Sequence, residues 1–358
     1  EVKVYRITRE KIELKDSEAH GAVFEQGTKP DGKPFQVGVI DLPSFYLDLE
    51  AAQRGDLNYK SATKDLRRLI GDFREKGVDA IVLDLRRNGG GSLSEAIGCT
   101  GLFIDRGPVV QIKGPFGNVN QYNDRRPGMA WDGPLVVVTS QFSASASEIL
   151  AGAVQDYKRG LVVGDRATHG KGTVQSLINL WQHLNPSVKD PSTEWGALKI
   201  TQSQFYRPGG ASTQKKGVEA DIVLPSFSDH MDVGEGDLDY AVEFDKVKAA
   251  KFSGNSMVNP EIVKELTDRS KARIAKSEDF KDLESRISEY IKEKTKNTVT
   301  LNEKKFFERE LDAEKEDEKT LEKQVNGDTK INRDFYLDEV MAITTDYVTR
   351  LKKSDSVN

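Results

Sequence analysis

One cysteine, Cys99, in 358 residues leaves no partner for an internal disulfide and no pair for a metal site of the Cys-x-x-Cys type. Histidine is almost as scarce. His20, His169, His183 and His230 are the full set, so imidazole chemistry would have to draw on one of these four. No apolar run approaches the roughly 18 residues that span a bilayer, which argues against a transmembrane segment. There is no excess of positive charge either: 53 Lys and Arg stand against 58 Asp and Glu, a formal net charge of -5, and no general nucleic-acid surface is expected. Internal repeats and Gly/Ser linkers are missing. The chain opens at Glu1 with neither Met nor a hydrophobic leader, the form expected of a processed or excised chain.

What is present reads as a globular chain, 37% apolar and 31% charged, with length for two or more domains. VKVYRITREKIEL at the start alternates like a strand. VGVIDL (Val37 to Leu42) is a second strand. From Ser61, Leu66, Leu69, Ile70 and Phe73 fall at helical spacing and Gly77 stops the helix. DAIVLDL (Asp79 to Leu85) is a buried strand, followed by the loop RRNGGGS and a helix through Leu93 and Ile97. PLVVVTS (Pro134 to Ser140), a helix to about Tyr157 and the strand LVVGD continue the alternation, which implies parallel crossovers and an α/β core. Gly172 to Leu180 and Ala197 to Arg207 read as antiparallel strands, and the core ends near ADIVLPS (Ala220 to Ser226). Beyond Pro260 the composition turns to dense Lys and Glu, as in LNEKKFFERELDAEKEDEKTLEKQ, the mark of solvated helix faces.

Between PLVVVTS and its helix stands FSASASEIL (Phe142 to Leu150), three serines alternating with alanine at a strand-to-helix turn. Ser145 with Glu148 has the Ser-x-x-Glu form of a capping box. The same geometry suits a nucleophile, because a serine at such a turn exposes its hydroxyl while the free N–H groups of the helix start point at developing charge. Gly-x-Ser-x-Gly is missing, so a base must be sought elsewhere. His169 is one candidate for a Ser-His pair. Another lies in GDRATHGKGTVQ (Gly164 to Gln175), a near miss for a phosphate-binding loop: five residues separate Gly164 from Gly170 where four are required, and Gly172 follows the lysine. Glycines on both sides of Lys171 allow close approach to another element, the serine turn being the expected one. A lysine buried there loses solvation for its ammonium. Bringing it from about 10.4 to about 7.5 needs roughly 4 kcal/mol of differential destabilisation, within the reach of burial.

The runs VGVIDLPSFY, VDAIVLDLRRNGGGSLSEA, SQFSASASEILAGAVQDY, VVGDRATHGKGTVQ and FYRPGGASTQKKGVEADIVLP together resemble the tail-specific, carboxy-terminal-processing serine proteases, and the charged C-terminal part resembles that of their long periplasmic subfamily. The resemblance implies a Ser/Lys-dyad endopeptidase with a ClpP/crotonase-like α/β core of mixed sheet and crossover helices over residues 11–227. A charged helical domain over 228–358 would follow it, and residues 1–10 would be the last strand of a PDZ domain otherwise missing from this chain. It implies Ser145 as nucleophile, Lys171 as general base, Gln175 as the amide that orients the lysine, and an oxyanion hole from the N–H of Ala146 with Gly90 or Gly91. Asp156 matches a family aspartate with a structural reading at the helix end. The loop before the lysine is one residue longer than the family's G-E-P-T-x-G-K. No metal or cofactor is called for. Substrates would be proteins with apolar C-terminal tails, the setting a bacterial periplasm or cell envelope, and the helical region a place for an adaptor or for self-association. The alternative is a catalytically silent, peptide-holding scaffold of the same fold.

Overall fold

The computed structural model describes residues 18–180, 196–296, 301–304 and 331–355. The expected strand at residues 1–10, the loop between Leu180 and Gly196, and most of the charged run after Leu301 lie outside the described residues.

A six-stranded sheet forms the centre, in the order β1-β2-β3-β6-β7-β10. β1 (His20–Gln26) runs antiparallel to β2 (Phe35–Asp41). β3 (Ala80–Asp84), β6 (Leu135–Thr139), β7 (Leu161–Gly164) and the short β10 (Ile222–Val223) continue from β2 in parallel. These strands read as unbroken β-branched runs because both faces are covered. Successive residues point to opposite sides, so Ile81 and Leu83 enter one core while Val82, paired with Val39 and Val136, enters the other.

The first face is packed by α2 (Ala62–Glu75), α3 (Leu93–Thr100) and α4 (Ala146–Asp156). α2 starts where Ser61 accepts the Lys64 amide and buries Leu66, Leu69, Ile70 and Phe73, the positions its periodicity predicts. A five-residue α1 (Leu49–Gln53) precedes it. On the second face lie α5 (Pro260–Ile274) and α7 (Phe335–Asp355), which set Ile262, Leu266, Leu337, Val340, Met341, Ile343 and Tyr347 against Val37, Val39, Val136, Val138 and Val163. α6 (Glu278–Lys294) adds Phe280 to the same core. The charged region after residue 228 therefore shares its apolar interior with the sheet. In α5, α6 and α7 the lysines and glutamates lie mostly on the faces turned from that core.

A second, four-stranded antiparallel sheet has the order β5-β4-β9-β8, with β4 Gly107–Lys113, β5 Val119–Asp124, β8 Thr173–Asn179 and β9 Ala197–Tyr206. The expected antiparallel pair is β8 and β9. Among the described residues, no helix is long and apolar enough to cross a membrane.

Candidate active site

Three loops leave the C-terminal ends of β3, β6 and β7, neighbours in the sheet, and all the predicted site residues belong to them or to the elements they lead into. The loop after β3 is organised by Asn88, which is fully buried. Its side-chain nitrogen donates to Leu42 O (2.8 Å), its side-chain oxygen accepts from Gly90 N (2.9 Å), and its carbonyl accepts from Ala144 N (3.1 Å) and Ser147 Oγ (2.8 Å). Ser143 Oγ donates to Leu85 O at 2.8 Å. Here is the use of the alternating serines. Ser143 and Ser147 are fully buried and fasten the turn to the neighbouring loop, whereas Ser145 between them is only half-buried.

Ser145 occupies φ 57, ψ -108 at the head of α4, a region costing an L-residue about 1–3 kcal/mol that persists only where the surroundings enforce it. Such a strained strand-to-helix turn lifts a hydroxyl off the sheet. Against it lies Gly90, at φ 110, where a Cβ would come within 2.9 Å of both Ala144 O and Ser145 Cβ. Of the two glycines considered for oxyanion binding, Gly90 has already committed its N–H to Asn88. Gly91, at φ 144, packs its Cα against the Phe45 backbone, and Phe45 N bonds to Gly90 O while Ser92 N bonds to Phe45 O. Among the described residues, the Gly91 amide donates to no acceptor.

Glu148 joins the serine turn to the lysine loop. It is completely buried, one oxygen accepting from Ser145 N (2.7 Å) and Lys171 N (3.0 Å), the other from Thr168 Oγ1 (2.7 Å) and Gly170 N (2.8 Å). The first bond is the backward half of the expected capping box. The other three were not legible, because a capping pattern speaks only of its own helix. Burial pushes the Glu148 carboxyl up to about 8, against the pull of the four donors.

Lys171 is half-buried instead of enclosed, and its Nζ donates to Gln175 Oε1, on β8, at 3.3 Å. The flanking glycines do serve close approach, but toward a different element. A Cβ on Gly170, at φ 89, would stand 2.9 Å from Lys215 C, and one on Gly172 would stand 2.7 Å from Gln214 N. The crowding comes from residues 212–215; the serine turn is met through the Glu148 carboxylate and through His169 N, which donates to Ser143 O at 3.1 Å. Upstream in the same loop, Ala220 N donates to Arg166 O at 3.1 Å and Ala167 bridges to Glu219, before Thr168 returns the chain to Glu148. Burial pulls the His169 imidazole below its ordinary value, with Glu235 opposing and Lys171 reinforcing the shift. Asp156, the last residue of α4, pairs with Arg207 and accepts from Gly209 N at 2.7 Å, tying the helix end to the chain beyond β9.

Sequence comparison carries the same segments. The model of Peptidase family S41 matches residues 36–224, and that of the C-terminal domain of tail specific protease matches residues 228–349. A tail-specific protease of Haemophilus influenzae is 33% identical over 347 residues, covering 96% of this chain and 46% of its own length. A carboxy-terminal-processing protease of Bartonella bacilliformis is 37% identical over 166 residues, 46% of this chain and 35% of its own. The chain thus spans less than half the length of these two relatives. Among solved structures, a photosystem II D1 C-terminal processing protease is 26% identical, with a TM-score of 0.47 over 61% of this chain and 50% of that one. The chain belongs to peptidase family S41.

Proposed function

We propose that this chain carries the catalytic machinery of a serine endopeptidase in which Ser145 is the nucleophile and Lys171 the general base. One observation carries the reading: a single buried carboxylate, Glu148, accepts the backbone amides of both residues. That linkage fixes the two in a common frame whatever their side chains do. In the acylation step neutral Lys171 Nζ takes the proton of Ser145 Oγ, the Oγ–carbon bond forms, and the tetrahedral oxyanion lies before the N–H groups of Ala146 and Gly91. Collapse breaks the carbon–nitrogen bond as the lysine returns the proton to the leaving amine. Water then attacks the acyl-enzyme, Lys171 accepts its proton, and Ser145 is regenerated. Gln175 holds the amine by its 3.3 Å hydrogen bond. Because Lys171 is only half-covered in the free chain, bound polypeptide supplies the remaining exclusion of water.

The family relationship extends the proposal to proteins bearing apolar C-terminal tails as substrates, to a bacterial cell envelope or periplasm as the setting, and to the helical region after residue 228 as a surface for an adaptor or for self-association. The test is hydrolysis of an unfolded polypeptide with an apolar tail, by the chain and by its Ser145→Ala and Lys171→Ala variants. Loss of cleavage in both supports the dyad. Equal cleavage by either overturns it, and a parent chain as inactive as Ser145→Ala leaves the silent scaffold as the reading.

A further inference from the structure

Lys171 is gripped on the side away from Glu148 as well. Residues 213–215 hold the lysine and both its neighbours in turn: Thr213 Oγ1 donates to Lys171 O (3.0 Å), Lys215 N donates to Gly170 O (2.8 Å), and Gly172 N donates to Gln214 Oε1 (2.8 Å). Gln214 is fully buried. An amide side chain has an accepting end and a donating end of nearly the same shape, so something must decide which end faces Gly172. The other end, Nε2, donates to Glu235 Oε1 at 3.1 Å. Glu235 begins a short 3-10 turn, Glu235–Asp237, in the segment that follows β10. Its backbone amide donates to His169 O at 2.8 Å. Its second carboxylate oxygen lies 3.9 Å from His169 Nδ1, a buried nitrogen with no hydrogen-bond partner among the described residues. One residue, by its backbone amide and its side chain together, thereby ties the residue two before the lysine to the residue that holds the one after it.

We propose that Glu235 is a positioning residue for Lys171, closing a ring of Glu235, Gln214, Gly172, Lys171, Gly170 and His169 that fixes the lysine peptide from the outer side. The proposal rests on Lys171 acting as the base. A carboxylate offers only acceptors, so it forces the Gln214 nitrogen toward itself and the Gln214 oxygen toward Gly172 N. Without it the amide can turn over, present a donor to the Gly172 donor, and release the strand that aims the lysine. The base then spends its time away from the serine, which lowers turnover without weakening substrate binding.

The test uses the full chain and an internally quenched unfolded peptide, with kcat, KM and thermal melts measured together. Glu235→Ala is expected to lower kcat by about 10- to 100-fold with KM held within about 2-fold. Glu235→Gln is expected to stay within about 3-fold of the parent, since its oxygen accepts from Gln214 and its nitrogen donates toward His169 Nδ1. Should Glu235→Ala melt early, Glu235→Asp, too short to reach both partners, is expected to reproduce the fall in kcat at unchanged KM. Parent-like kcat in Glu235→Ala or Glu235→Asp overturns the proposal, as does a loss in Glu235→Gln equal to that in Glu235→Ala. Lys171→Ala measured alongside separates the two levels: an active Lys171→Ala refutes the base itself, whereas an inactive one beside a parent-like Glu235→Ala refutes only the ring.

Discussion

The two faces of the six-stranded sheet are assembled from different stretches of chain. The face under α2, α3 and α4 is completed by residues that lie between or next to the strands in sequence, and the elements on that side lead directly into the Ser145 turn and the Asn88 loop. The opposite face waits for α5 and α7, and α7 begins at Phe335, more than a hundred residues after the last strand. None of the proposed site residues packs in that second core. Chemistry is concentrated on one side, while the other contributes a support on which the sheet depends.

The strongest challenge to this division is removal of the second support. Deleting everything after Pro225 uncovers the valines that α5 and α7 bury, at about 1.5–3 kcal/mol for each large aliphatic side chain lost. The sum exceeds the roughly 5–15 kcal/mol that stabilises a whole domain. The truncated chain is expected to show no cooperative melt by circular dichroism, and a sharp transition would mean that the sheet stands on one face alone. Val340→Asp, which buries a lone charge in the same core, is expected to act in the same direction.

On the catalytic side the largest effect outside the proposed dyad is expected at Glu148. Glu148→Gln turns a donor toward two of four donors, a cost of about 1–3 kcal/mol for each orphaned pair, and single-turnover hydrolysis should fall by about two orders of magnitude if the serine and lysine lose their common frame. In the parent, only the ionised carboxylate accepts all four bonds, so the rate should rise with pH through about 8. The midpoint of that rise should move in Glu148→Gln, which has no carboxyl to ionise. An unchanged limb would assign it to another group.

Ser143→Ala and Ser147→Ala sharpen the contrast within the serine turn. Each removes a buried hydroxyl whose acceptor is a carbonyl of the adjacent loop, and about 1 kcal/mol of stability is expected to go with it. Chemical denaturation would show the shift, with hydrolysis reduced but present; complete inactivation by either would move the nucleophile assignment away from Ser145. The smallest effect concerns His169. Its folded-state value is depressed by burial, so the unfolded chain binds that proton first. The stability it confers is therefore present above about pH 6.5 and is lost as pH falls through the folded value. His169→Asn should flatten the acid side of a melting temperature–pH curve relative to the parent, and parallel curves would contradict the sign.

Much of the first face was legible because its signals are local. Leu66, Leu69, Ile70 and Phe73 mark α2 by spacing, and the run from Leu135 to Thr139 marks a doubly covered strand by composition alone. Ser145, Lys171 and Gln175 were proposed as a constellation through family motifs, and the placement of Ser145 and Lys171 in the loops that follow β6 and β7 follows from the alternation of strand and helix. β5 escaped, since an edge strand such as VNQYND carries little apolar pattern, and β4 escaped despite the buried Val109, Val110 and Ile112 of GPVVQIK. The roles of Asn88, Glu148 and Gln214 escaped for another reason. Each spends a polar side chain on backbone groups of a different loop, 23 to 46 residues away for the farthest bonds, and no periodicity records such a pairing. The apolar stripe of α7 was hidden by its surroundings, a region whose charge density describes solvent-facing sides.

That α7 closes the second core has a consequence in time. During synthesis the chain emerges in sequence order, at roughly 5–20 residues per second, and 132 residues separate the end of β10 from the end of α7 at Asp355. For roughly 7–26 seconds after its last strand appears, the nascent chain holds every residue of the proposed dyad but only half of the support beneath it. A valine-rich sheet face stays open to water, and to chaperones, throughout that interval. The proposed dyad therefore gains the second half of its support only once α7 has emerged.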